Sequence, residues 1–149
     1  MSDAERRQEI LDTLAGATDR IALAIAALGE AYDHLDEHTA DRLEADLFRP
    51  AQAAYGLAQR THASFAERHR LTSPPFTPAH TPAAHEPRTP ILAAADALAE
   101  ADAQLAELQD SMLPVEYGDQ ALREGLAEIR RHLNAGRRGS QDIVRTLGR

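Results

Sequence analysis

The chain has no cysteine, no tryptophan and no lysine among its 149 residues. Without cysteine there is no disulfide framework, no thiolate nucleophile and no cysteine-ligated zinc or iron–sulfur site. All sixteen basic residues are arginine, which excludes a Schiff-base lysine and a phosphate-binding loop ending in Gly-Lys-Ser/Thr. Three tyrosines and three phenylalanines leave little to stack on nucleobases, and a formal charge of −8 repels a polyphosphate backbone. Both argue against general nucleic-acid binding. Long hydrophobic runs are missing too. The longest, Ile21 to Leu28, is far too short to span a bilayer, and the start Met1-Ser2-Asp3-Ala4-Glu5 is acidic, so the expectation is a cytoplasmic chain with no membrane segment.

What is present is helical periodicity. Ser2 with Glu5 three residues later forms a capping box that opens a helix. Ile10, Leu14, Ala17, Ile21, Leu28, Tyr32 and Leu35 then recur at spacings of three, four and seven, with Asp12, Asp19, Glu30 and Glu37 on the opposite side. A second stripe runs through Leu43, Leu47, Ala51, Ala54, Ala58 and Phe65, with His62 and His69 on or beside it, and ends near Leu71. Two boundaries compete between the stripes. Pro50 points to a turn near 48–50, whereas Thr39 as N-cap, with Asp41 and Glu44 after it, points to one near 38–40. The second stripe is rotated by about 70° from the first, and the rotation falls near 36–42. This favours the earlier turn and leaves Pro50 as a kink.

Residues 72–90 hold six of the eight prolines: Pro74, Pro75, Pro78, Pro82, Pro87 and Pro90. That density forbids a helix and favours extended polyproline geometry able to run the length of a helix pair. A Pro75-x-x-Pro78 ligand for a partner domain is the other reading of this segment, and the plain crossover is preferred. Thr89-Pro90 then reads as the start of a helix with the seam Leu98, Ala101, Leu105, Leu108 and Met112, stopped by Pro114. Gly118-Asp119 turns the chain into a last seam of Leu122, Leu126, Ile129, Leu133, Ile143 and Leu147, in which Gly136, Gly139 and Ser140 predict a kink or break. The expected fold is all-α. It is a single-domain four-helix bundle over 1–149, in which antiparallel hairpins 1–71 and 90–149 are joined by a proline-rich crossover over 72–89, and the last helix is kinked or interrupted.

Ile21 to Leu28 is apolar around the whole helix, and Leu23 lies on the side otherwise held by Asp12, Asp19 and Glu30. A helix apolar all round is usually buried all round, which predicts a second contact, a homodimer interface at Leu23, unless alanine is neutral filler there.

Glu30, His34 and His38 follow one another at four-residue steps, a spacing that can bring carboxylate and imidazole onto one ion. If the chain reverses near 48–50, His62 joins them and the four make a zinc or iron site. If it reverses near 38–40, His62 is about 30 Å away. The helical metal patterns Glu-x-x-His, His-x-x-x-Glu and His-Glu-x-x-His are all absent. Ser64, Ser111 and Ser140 sit in no nucleophile context, and Asp33, Asp36 and Glu37 read as a solvated face.

Charge is uneven along the chain. From Asp119 onward seven arginines face four acids, while nine arginines and twenty acids precede it. Arg123, Arg130, Arg131, Arg137, Arg138 and Arg145 share one broad face, and Arg130, Arg131, Arg137 and Arg138 are the candidate clamp for an acidic partner. The alternative, which is preferred, packs this face beside the acidic side of the first helix in intramolecular pairs worth little individually. By elimination the expected function is a non-enzymatic helical bundle for protein–protein interaction or regulation, as a homo-oligomer. A metal-binding bundle and a small-ligand carrier with a pocket between helices are the alternatives.

Overall fold

Ser2 caps the first helix by accepting the Glu5 N–H at 3.1 Å, and its hydroxyl lies 3.2 Å from the Glu5 carboxylate. In the computed structural model, which describes residues 2–147, α1 spans Asp3–Tyr32, α2 Glu37–Leu43, α3 Arg49–Arg68, α4 Arg88–Asp110, α5 Leu113–Glu116 and α6 Gln120–Leu147. All regular structure in those residues is helical.

The first turn comes early, after Tyr32, and Asp36 rather than Thr39 caps the next helix, accepting the Thr39 N–H at 2.8 Å. Helix then runs on through a π-turn over Glu44–Phe48 into α3. That turn accommodates Pro50. The ring nitrogen cannot donate to Asp46, four residues back, and just upstream the Arg49 N–H reaches five residues back to Glu44 instead. The expected break in α6 does not occur. Gly136 and Gly139 are buried inside one continuous helix, and a Cβ on Gly139 would collide with the Asp46 carbonyl. Glycine there lets α6 approach the π-turn backbone closely, where the sequence reading had taken it as a helix breaker. Two smaller corrections concern α4. Glu86 accepts the Arg88 and Thr89 N–H groups at 2.7 and 2.9 Å, so Glu86 rather than Thr89 caps it. Met112 leaves the seam in a left-handed turn at φ 66° and is exposed.

Chain direction follows from the contacts. Arg20 pairs with Glu100 and Ala27 faces Pro90 and Ala93, so α4 is antiparallel to α1. His62 meets Leu11 while Tyr55 meets Ala22, so α3 is also antiparallel to α1. Thr61 lies against Gly125 and Leu47 near Gly136, so α6 opposes α3. The core between these helices is Leu, Ile and Ala, with Ile10, Leu14, Ile21, Leu28, Leu43, Phe65, Leu98, Leu105, Leu126 and Leu133 fully buried.

Because α3 and α4 run the same way, the connection between them must return along the whole body. It lies over α1. Pro78 and Ala79 face Ala22, Ile25 and Ala26, and residues 81–86 face Ala27. This strap accounts for the all-round apolar run Ile21 to Leu28 within one chain: two faces pack on α3 and α4 and a third on the proline-rich segment. Leu23 is half-buried and packs against the core. No helix among the described residues is long and apolar enough to cross a membrane.

Candidate functional site

Asp102 sits on α4 one step from the apolar seam, its side chain only 9% exposed, and collects two arginines of α6. Arg130 donates from Nε to Oδ1 at 2.9 Å and from Nη2 to Oδ2 at 3.4 Å, and Arg137 donates to Oδ2 at 3.3 Å. Arg130 also reaches Gln109 at 2.7 Å, and Arg137 reaches Asn134 at 3.3 Å. A nearly buried carboxylate demands such partners, and its hydrogen bond holds the Arg130 guanidinium above its ordinary pKa. Two of the four arginines in the candidate clamp are therefore committed internally, to α4 rather than to α1 as the sequence reading preferred.

Arg131 and Arg138 are different. Both are exposed, stand seven residues apart on the outer side of α6, and make no ion pair or hydrogen bond among the described residues. Elsewhere on the body a cavity of about 320 Å³ opens between α1 and α4, and its lining includes Glu9, Asp12, Gln104 and Glu107. The Gln104 Oε1 is buried without a hydrogen-bond partner. Three carboxylates make this groove rich in acceptors, with Asp12 already accepting from Gln8 at 2.9 Å and the Thr13 and Ser111 hydroxyls beside them.

The predicted metal residues do not come together. Glu30 is on α1, His34 is exposed in the turn after it, and His38 is exposed in the first turn of α2. His62 lies at the other end, next to Leu11, so roughly 30 Å of helix separates it from His34. Among the described residues no group of three His, Cys, Asp or Glu is arranged to hold an ion. The early turn separates them.

His62 is instead an anchor. Its Nε2 lies 3.2 Å from the Leu11 carbonyl, which can only accept, so Nε2 carries the proton and Nδ1, 2.5 Å from the Ser73 hydroxyl, accepts. Phe76 packs edge-on against the ring at 5.2 Å between centroids. Burial disfavours the imidazolium and lowers the His62 pKa, against weaker upward effects of the Leu11 carbonyl and Asp12.

Asp119 does similar work at the start of α6. It accepts the Leu122 N–H at 2.8 Å, a bidentate pair from Arg68 at 2.8 and 2.9 Å, and His69 Nε2 at 2.9 Å. Burial raises its pKa, but these donors together outweigh burial and hold it well below the carboxylate range. Of the remaining candidates, Asp36 is a cap whose pKa is lowered by the Thr39 N–H and hydroxyl. Ser111 and Ser140 donate to carbonyls of their own helices.

Asp102 is a site residue that the helical seams alone do not single out, although an acid four residues after Leu98 and three before Leu105 marks a polar group on an apolar face. Ser73 carries no comparable signal, since its partner His62 lies on another element. Comparison with known proteins returns no match: no protein family, no curated protein and no solved structure is similar to this chain.

Proposed function

We propose that the four long helices form a four-helix bundle with a proline-rich crossover, and that this bundle is a non-enzymatic interaction protein acting as a homo-oligomer. In this reading Arg131 and Arg138 of one copy dock into the acidic α1–α4 groove of another. The observation that carries it is complementarity: two exposed arginines without partners among the described residues, on a chain whose α1–α4 groove presents the exposed carboxylates of Glu9, Asp12 and Glu107. Guanidinium groups supply planar donors to carboxylates and amide carbonyls alike. The contact takes the place of the Leu23 interface, since Leu23 is half-buried against the core. It is tested by sedimentation velocity at high micromolar concentration. Association at low salt that weakens in about 0.5 M salt, and that the double variant Arg131→Gln/Arg138→Gln abolishes, supports it. A wild-type monomer under low salt refutes it.

A second reading, a small-ligand carrier, has support in two apolar cavities under the strap. One of about 430 Å³ lies between Ile25, Tyr55 and Pro78, and one of about 410 Å³ between Ala27, Pro82 and Pro90. Both volumes fall within the range of ligand pockets. A thermal midpoint that rises with an added hydrophobic probe such as a fatty acid, and does so in wild type but not in Ala26→Leu, favours it. The metal reading draws no support from the geometry.

A further inference from the structure

Burial along the strap repeats every three residues. Ser73, Phe76 and Ala79 turn toward the helices, while Pro74, Pro75, Thr77, Pro78 and His80 are exposed. A period of three belongs to the polyproline II helix, which has no internal hydrogen bonds. Residues 72–86 indeed make no backbone–backbone hydrogen bond among the described residues. The reach agrees as well. Six steps of about 3.1 Å from Ser73 to Ala79 cover about 19 Å. Along α1 the same stretch runs from Leu11 to the Ala22–Ile25 region, about 17–21 Å at the α-helical rise.

This polyproline helix is held mainly by one edge. Ser73 donates to His62, Phe76 packs against the same ring, and Ala79 lies over Ala22, Ile25 and Ala26. The other two edges are exposed: Pro74, Thr77 and His80 on one, Pro75 and Pro78 on the other, with Pro78 also bordering the cavity over Ala22 and Ile25.

A groove that reads a polyproline helix engages two of its three edges and leaves the third pointing away. We infer that the strap is a preformed ligand for a partner domain whose groove is lined with aromatic side chains, with Pro74-Pro75 and Thr77-Pro78 as the two dipeptide steps that enter it. The chemistry fits on three counts. Proline rings stack between aromatic faces, and the segment between them is already in the bound conformation, so little chain entropy remains to be lost. The strap carbonyls, unused in backbone bonds, are free to accept hydrogen bonds from tyrosine or tryptophan donors of the groove. Phe76, the residue between the two steps, is the one that a partner would not touch, and it is the one anchored to His62. The inference is independent of the α6 ridge, which lies on a different element.

The test is an NMR titration of the intact, isotope-labelled chain with a panel of purified SH3, WW and EVH1 domains. The expected result is saturable binding to at least one of them, with shifts confined to residues 73–80. Pro75→Ala and Pro78→Ala each weaken it by about tenfold or more, with the chemical shifts of the helices unchanged, which shows that the body is still folded. Pro82→Ala, outside the stretch from Ser73 to Ala79, leaves binding intact, as does Arg131→Gln/Arg138→Gln. The inference is overturned if no domain of the panel binds the intact chain at about millimolar concentration, or if the Pro75→Ala/Pro78→Ala double variant binds as tightly as the wild type.

Discussion

Arg130 donates its Nε to Asp102 Oδ1 at 2.9 Å across the contact between α6 and α4. That pairing divides the basic face of α6 in two. Arg130 and Arg137 stabilise the fold from inside, and Arg131 and Arg138, one residue further along in each case, point outward. The first prediction follows from the inner pair. Asp102→Ala leaves two half-buried guanidinium groups without their acceptor and destabilises the fold by about 2–3 kcal/mol, somewhat below a fully buried pair because both arginines keep water contact. Urea unfolding measures it, and a loss under about 0.5 kcal/mol would show that the network is ornamental.

The contact of Gly139 with Asp46 gives a prediction with a built-in control. Gly139→Ala places a methyl group against the Asp46 carbonyl and destabilises by about 1–3 kcal/mol. Gly29→Ala in α1 meets nothing within 4 Å and stabilises by about 0.5–1 kcal/mol through helix propensity. Thermal midpoints that move the same way for both variants contradict the packing described for α6.

His62 makes stability depend on pH. Its pKa is lowered in the folded state from an ordinary 6.5, so the unfolded chain binds the proton more readily. The stability contributed by neutral His62 is full above about pH 6.5 and is lost progressively as pH falls below it. His62→Gln, which never ionises, is less stable than wild type at pH 7.5, and the gap narrows toward pH 5. A gap that stays constant or widens in acid would falsify the assignment of His62 as a buried neutral anchor.

Asp119 acts in a lower window. Its pKa is held below the ordinary 3.8, so its contribution is complete above that value and disappears as pH falls further. At neutral pH Asp119→Ala removes the α6 cap together with the Arg68 and His69 bonds, for about 2 kcal/mol. Asp119→Asn keeps the cap and loses roughly half as much. Equal losses for the two variants would mean that the charge contributes nothing beyond the cap.

Much of the helical layout was legible because it rests on local chemistry. The stripe from Ile10 to Leu28, the Ser2 cap, the rotation of the second stripe near 36–42 and the proline density at 72–90 each act within a few residues of themselves. Periodicity could not show what crosses between elements. Asp46 and Gly139 are 93 positions apart in the chain, so a glycine that admits a carbonyl looked like a helix breaker. The apolar circumference of Ile21 to Leu28 was read as a surface for a second copy because nothing in α1 reveals that residues 78–86 lie over it. His62 was grouped with His34 by one of two competing turns, and the turn after Tyr32 assigned it to Leu11 and Ser73.

Charge reversal with complementation tests the proposed self-association most directly. Arg131→Glu/Arg138→Glu removes the ridge, and Glu9→Arg/Asp12→Arg inverts the groove. Sedimentation velocity at low salt is expected to show each double variant alone sedimenting as a monomer and their equimolar mixture recovering an associated species between the reversed surfaces. A mixture that stays monomeric, or single variants that associate as the wild type does, contradicts docking of α6 into the α1–α4 groove.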